Sequence, residues 1–322
     1  MTTVLFTSVG RRVTLVRQVR EAAARLGGAV AIIGTDVDPL APALQVVDIG
    51  LRVPRYSEPG YVERLKELCV SHGVDVAVPL SDPDARLLAL NRGLLEDTGA
   101  VVSAVSPESA EIVDDKWETF LFLSRIGIRT PTTWLDEDHR PEDVGTYLLK
   151  PRRGSAGKGI QVVRPGASAF IPEGYLAQEL ADGPEITVDL ACDQDGQVIG
   201  VGMRERLEVR AGEVSKSRTI VNAEVEEAAV LIASNLNAVG FLTAQCFATN
   251  DGPVFIEVNG RIGGGAPLSI QAGYAGDEAL CRLFRPATSA RELAAVDHFM
   301  TRYDDQFFST GMPTTFSNER RG

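Results

Sequence analysis

Residues 4–9 form an apolar-rich run closed by Gly10, the pattern of a buried strand. Residues 11–26 then place Val13, Val16, Val19, Ala23 and Leu26 three or four apart, which is one face of a helix. A second strand is predicted over 29–35, ending at Asp36, followed by a helix over 61–72 with Leu65, Leu68 and Cys69 inward. A buried strand is predicted over 74–80, and Asp82 is expected to cap the next helix with Pro83 in its first turn. Residues 99–103 read as one more strand. Strands alternating with helices imply a parallel, doubly wound sheet.

The period changes after residue 106. A helix is predicted over 107–126, ended by Gly127 and Pro131. From 147 to 259 the pattern is mostly that of strands in hairpin-like pairs, 147–150 with 159–163, 186–192 with 197–203, and 241–249 with 253–259. One helix, 224–239, interrupts them, and the last dozen residues read as frayed. At 322 residues the chain holds roughly two domains, or three small ones. An α/β domain followed by an α+β region is the expected organisation.

Composition narrows the function classes. With 44% hydrophobic and 24% charged residues the chain can build sizeable cores. Its net charge of −12 disfavours nucleic acid and anionic membrane as partners, since both need a basic footprint. No apolar run approaches the roughly 20 residues of a membrane span. The opening residues read as a strand rather than a leader. The four cysteines stand at least 35 residues apart with no CxxC, so a reducing, cytoplasmic setting is expected and a zinc site is not.

Several constellations could carry chemistry. Lys150-Pro151-Arg152-Arg153-Gly154-Ser155-Ala156-Gly157-Lys158-Gly159 is a side-chain-poor loop with four basic residues, suited to phosphate oxygens or else a plain hairpin turn. It lacks the Walker A spacing. In Phe255-Ile256-Glu257-Val258-Asn259-Gly260-Arg261, strand alternation puts Glu257 and Asn259 on one face and Ile256 and Val258 on the other. A carboxylate and an amide oxygen so spaced suit Mg²⁺. A turn centred on Asp251 would set Gln245 opposite Glu257 as a third oxygen, and Arg261 is near enough to reach a phosphate. The alternative is a half-polar edge strand. Gly263, Gly264 and Gly265 before a helix offer a backbone anion site or a linker. The connector at Gln178-Glu179-Leu180 could present backbone groups to a purine, with Glu185 toward ribose hydroxyls. Arg204, Arg206, Lys216 and Arg218 could form a cationic wall or a solvated face. In the first domain, Ser8-Val9-Gly10-Arg11-Arg12, Asp36 and Ser81-Asp82 follow strands, where open α/β sheets bind ligands. GxGxxG is absent, which weighs against a nicotinamide.

The order of these signals resembles the ATP-grasp superfamily, in its carbamoyl-phosphate-synthase-like branch of carboxylate–amine ligases. The likeness runs from about residue 4 to about 303. It implies a Rossmann-like preATP-grasp α/β domain over 1–106 and an α+β ATP-grasp fold in two subdomains, 107–180 with the glycine-rich loop and 181–322 with the metal site. It further implies that Lys116 and Lys150 contact ATP, that the loop of Gly154, Ser155, Ala156, Gly157, Lys158 and Gly159 closes over its phosphates, and that Gln178, Glu179, Leu180 and Glu185 hold the nucleoside. Gln245, Glu257 and Asn259 would ligate one or two Mg²⁺ ions, or Mn²⁺ in their place. A neutral amide at Gln245 follows the carbamoyl-phosphate-synthase pattern where many members carry a carboxylate. Arg261, Lys150 and Lys216 would be catalytic. Substrate candidates are Gly10, Arg11, Arg12, Ser81, Asp82, Arg204, Arg206 and Gly263–Gly265. The implied activity is amide formation between a carboxylate of the amino-acid class and an amine through an acyl phosphate, releasing ADP and phosphate. A small-molecule kinase and a silent nucleotide binder are the alternatives. Dimers are common in the family it resembles.

Overall fold

The computed structural model describes residues 1–135, 145–154, 157–164, 170–210, 212–287, 291–308 and 316–317. The first sheet is built from β1 (Thr2–Thr7), β2 (Val30–Asp36), β3 (Ile49–Arg52), β4 (Val76–Pro79) and β5 (Val101–Val102), in the order β3-β2-β1-β4-β5, all parallel. The helices α1 (Val13–Arg25), α2 (Tyr61–His72), α3 (Asp82–Leu90) and α4 (Arg92–Glu96) lie between these strands in sequence. The doubly wound reading is therefore correct. The residue that caps α3 is Ser81, not Asp82: its Oγ accepts from the Asp84 amide, and Asp82 is the first helical residue.

The helix expected over 107–126 is shorter. Only a 3₁₀ turn, Pro107–Ser109, and α5 (Lys116–Arg125) form. Asp115 divides them because its carboxylate accepts from the Trp117 amide and caps α5. A four-stranded antiparallel sheet follows, with β6 (Thr133–Trp134), β7 (Tyr147–Pro151), β8 (Gln161–Val163) and β9 (Tyr175–Glu179) in the order β6-β9-β7-β8. It has a core of its own around Trp134, Tyr147, Leu149 and Val163. Phe122 and Leu123 of α5 instead join the main core.

The third sheet holds β10 (Glu185–Cys192), β11 (Val198–Arg210), β12 (Glu213–Ile220), β13 (Gly240–Thr249), β14 (Gly252–Asn259), β15 (Glu292–Leu293) and β16 (Phe299–Thr301). Its main path is β14-β13-β10-β11-β12-β16, with β15 beside β11. The helix α6 (Ala223–Asn235), capped by Asn222, buries Val225, Ala229 and Ile232 against this sheet. Two short helices, α7 (Ala266–Gln271) and α8 (Gly276–Cys281), pack on α1. Gln18 donates to the Pro267 carbonyl at 2.9 Å and Arg25 pairs with Asp277 at 2.9 Å. The strand β17 (Phe316–Ser317) pairs antiparallel with β3 in the first sheet, inside the segment expected to be frayed.

The register of the β13–β14 hairpin departs from simple folding back. Thr249 faces Gly252 and Cys246 faces Phe255, so the turn centres between 250 and 251. A bulge at Ile256 then adds one residue, and Gln245 lands opposite Glu257. The expected pair forms because two departures cancel. The expected face of Ile256 does not hold. Beside Glu257 in the bulge, it turns to the same side, while Val258 is buried.

Candidate active site

A cleft of about 670 Å³ opens between the four-stranded and seven-stranded sheets, with the loops after β1 and β4 of the first sheet at one end. Gln245, Thr243 and Phe247 reach it from β13, Glu257 and Asn259 from β14, and Thr187 and Glu185 from β10. Lys150 of β7 and Lys116 of α5 face these carboxylates and amides.

Lys150 is 5% exposed, and its Nζ donates to Gln178 Oε1. The Gln178 amide nitrogen donates in turn to Thr133 Oγ1 at 2.9 Å. The Gln178 side chain therefore orients Lys150. Burial lowers the Lys150 ammonium to about 8; Glu257 raises it in part and Lys116 lowers it further. Lys116 Nζ donates to the Gly154 carbonyl at 2.7 Å and stands 3.9 Å from Glu257.

The loop's arginines are less free than its composition suggests. Arg152 pairs with Asp115 at 2.7 Å and Arg153 with Asp114 at 3.0 Å. Those bonds anchor the base of the loop and use up the countercharge expected from 152 and 153. Lys158 lines the cleft with Gly154 and Gly157, whereas Gly159 packs at Pro151 and Tyr175. Ser155 and Ala156 lie outside the described residues. Glu179, Leu180 and Ala181 line the cleft, and the Glu179 amide donates to the Thr132 carbonyl.

Glu185 is not left open for hydroxyls. It pairs with Arg206 at 2.7 Å and accepts from Gln245 Nε2 at 3.1 Å. Burial raises its pKa and Arg206 opposes that. The bond commits the Gln245 nitrogen, so Oε1 is the atom left to act as a ligand. Asn259 is 5% exposed and its side chain makes no hydrogen bond among the described residues. Among the described residues, the Glu257 carboxylate has only the long contact to Lys116. One carboxylate and two amide oxygens, that of Asn259 having no donor of its own, fit a hard cation that takes its remaining ligands from phosphate and water. Lys116, Lys150 and Arg261 fit the phosphates. No cluster of three or more His, Cys, Asp or Glu side chains exists among the described residues to hold a metal on its own.

Arg261 is held bidentately by Asp82, through Nη2 to Oδ2 at 3.0 Å and through Nε to Oδ1. Burial alone would lower its pKa, but the carboxylate overrides this and raises it. Asp82 is thus a positioning residue in the first instance. Arg204 lies 3% exposed against Asp189, Nε to Oδ2 at 2.9 Å, and Ser269 donates to the same carboxylate. Gly263 and Gly265 make room for it: a Cβ at Gly265 would stand 2.4 Å from Arg204 Nη1. That stretch serves close packing of a guanidinium, and α7 behind it is only six residues long.

Besides Gly159, three sequence candidates are not brought to the cleft. Lys216 is exposed on β12 and pairs with Glu208 at 2.7 Å, so its placement gives no support to a catalytic role. Arg11 is exposed and pairs with Asp304. Gly10, at φ +46°, closes a tight turn whose amide donates to Asp36 at 2.8 Å, which also explains Asp36. Arg12, Ser81 and Asp82 do line the cleft. Arg302 and Glu213 line it as well and were not anticipated, because they arrive from β12 and from beyond β16 with no local motif.

Residues 113–265 match the family described as ATP-grasp domain, and residues 4–103 the PylC-like N-terminal domain. The chain carries an ATP-grasp domain. Among curated relatives, the chain is 27% identical over 251 residues to the carbamoyl phosphate synthase large chain of Thermoplasma acidophilum, covering 68% of this chain and 24% of that one. It is 24% identical over 204 residues to the tyramine–L-glutamate ligase of Methanocaldococcus jannaschii, covering 62% of this chain and 59% of the relative. The chain thus spans less than two thirds of either relative's length. Among solved structures, the N5-carboxyaminoimidazole synthetase from Staphylococcus aureus complexed with ADP superposes with a TM-score of 0.70 at 14% identity, over 91% of this chain and 80% of that one. That likeness concerns the fold. No helix among the described residues is long and apolar enough to cross a membrane.

Proposed function

We propose that this chain joins a carboxylate to an amine with ATP as the activating substrate, releasing ADP and phosphate. The observation that carries this reading is one cleft in which Lys116 of α5, Lys150 of β7, Glu257 and Asn259 of β14, and Arg261 just past β14 converge. The two curated relatives support it, since the name of one states a ligase joining an amine to an amino acid. We also propose three working units, 1–106, 107–180 and 181–322, a cytoplasmic setting, and a homodimer as the assembly to test by light scattering.

The chemistry follows from charge. A carboxylate is a poor electrophile until one of its oxygens attacks the γ-phosphorus and the bond to the ADP oxygen breaks. The acyl phosphate so formed loses phosphate when the amine nitrogen attacks its carbonyl carbon, and the amine's proton leaves to solvent. Lys116 and Lys150 would offset the crowded phosphate oxygens. Glu257, Asn259 and Gln245 Oε1 would hold Mg²⁺, which supplies charge neutralisation across those oxygens. Asp82 fixes the plane of Arg261 so that the guanidinium need not reorganise. The anchored glycine loop would cover the phosphates and exclude water from the acyl phosphate.

Incubation with MgATP, hydroxylamine and a pool of small carboxylates and amino acids tests this. ADP together with a hydroxamate is the expected result, and the hydroxamate's mass names the acid. ADP with a stable phosphorylated metabolite and no hydroxamate would replace the ligase by a kinase.

A further inference from the structure

Besides Arg153 of the glycine-rich loop, five arginines line the cleft: Arg12, Arg204, Arg206, Arg261 and Arg302. Four have a carboxylate. Arg204 has Asp189, Arg206 has Glu185, Arg261 has Asp82, and Arg302 has Glu213 at 2.7 Å. Arg12 has none within 4 Å among the described residues; its one hydrogen bond is a 3.5 Å contact to the Leu80 carbonyl. It is half-buried, so water does not stand in fully for the missing partner.

The surroundings hold Arg12 at the cleft wall. Gly264 leaves it space, since a Cβ there would lie 3.1 Å from Nη1. Arg302 donates to the Gly264 carbonyl from the other side. Burial and the charges of Arg261 and Arg302 together lower the Arg12 guanidinium to about 10, with Glu213 and Asp82 opposing. A guanidinium is the side chain best matched to a carboxylate, and an unpaired one among like charges gains most from an incoming anion.

We propose that Arg12, with Arg302 beside it, forms a subsite for an anionic group of the acid substrate other than the carboxylate that is phosphorylated, so that the substrate is a di-acid. The proposal rests on the ligase reading and deepens it. The reacting carboxylate must sit at the phosphates, beside Glu257. Arg261 feels both Glu257 and Asp82, whereas the strongest charge acting on Arg12 is that of Arg261 itself. Arg12 sits against the Leu80 carbonyl and Gly264, whereas Arg261 is two residues past Asn259 of the candidate metal site. The other four arginines each hold a carboxylate, so among the five Arg12 is the one left to read a second anion.

Calorimetric titration of the MgADP-loaded protein with glutarate, and with valerate as the monoacid of equal chain length, tests the subsite without turnover. Glutarate is expected to bind at least about tenfold more tightly than valerate. R12Q should remove that preference by weakening glutarate alone. R12K, which keeps the charge, should retain part of it, and a cooperative melt of R12Q at an unchanged temperature excludes misfolding. Equal affinity for the two acids, no glutarate binding, or equal weakening of both acids by R12Q would overturn the proposal. A failure of the ligase reading would show itself separately, as absence of a hydroxamate with any acid.

Discussion

Lys150 carries a charge that burial makes conditional. Its ammonium sits near 8 instead of at its ordinary 10.5, because little water reaches it. Phosphate oxygens at the cleft would favour the charged form and pull the value back up. Nucleotide binding should therefore take up a proton above pH 8, and MgATP affinity should fall as pH rises from 8 to 9, by at most about tenfold per pH unit. Calorimetry in buffers of different ionisation heat reads both effects, and Lys150→Met should flatten them. For folding the sign is opposite. Between about 8 and 10.5 the unfolded chain binds this proton more tightly, so the ligand-free protein gains stability from Lys150 as pH rises through that window. Glu257→Ala should lower MgATP-dependent turnover by about 10²–10³-fold while leaving the thermal melt in place, since the side chain is partly exposed and has only one long contact. Near-full activity of that variant would remove Glu257 from the metal site.

Among the elements, the hairpin of β13 and β14 shows what periodicity can carry. The hairpin itself is legible in the turn residues, but the pairing of Gln245 with Glu257 comes out as expected only because the offset of the turn and the bulge cancel. The bulge was not legible, since which residue is left out of a ladder depends on neighbouring strands and packing. For the same reason Ile256 was assigned to the wrong face. The partners of Glu185, Arg204 and Arg261 were equally hidden: Asp189, Asp82 and Arg206 lie 15 to 179 residues away in sequence or across a sheet. Charge composition names such residues but cannot pair them. The division of 107–126 turns on Asp115, which both caps α5 and holds Arg152. Asp115→Ala should cost about 0.5–2 kcal/mol through the lost cap, read from the urea midpoint. Asp115→Asn keeps a capping oxygen and should recover most of that loss, leaving a smaller effect from the Arg152 pair, itself partly exposed.

Across the whole molecule, the sheets meet at close backbone approaches rather than through a flexible linker. Ser103, just past β5, accepts from the Phe241 amide at 3.0 Å, and Val239 donates to the Ala104 carbonyl at 3.0 Å. Gly240 makes this possible. Its φ is +78°, and a Cβ would lie 2.2 Å from Ser103 Oγ and 2.9 Å from Ser103 Cα. Gly240→Ala combines a disfavoured backbone with a backbone clash, and should destabilise the protein by at least about 1–3 kcal/mol in denaturant titration. An unchanged midpoint would mean that the first and third sheets are free to separate. The sequence shows a glycine before a strand here and nothing of what presses against it.

The packing of α7 and α8 on α1 bears on how a ribosome delivers this protein. The helix that follows the first strand buries Leu15, Val16 and Val19, and part of its cover is a pair of helices some 250 residues later. At about 5–20 residues per second, the newborn first domain waits on the order of ten seconds to a minute with that flank bare. During that interval it is a client for a chaperone that shields apolar helices, and only when residue 281 clears the exit tunnel can Arg25 and Gln18 find their partners.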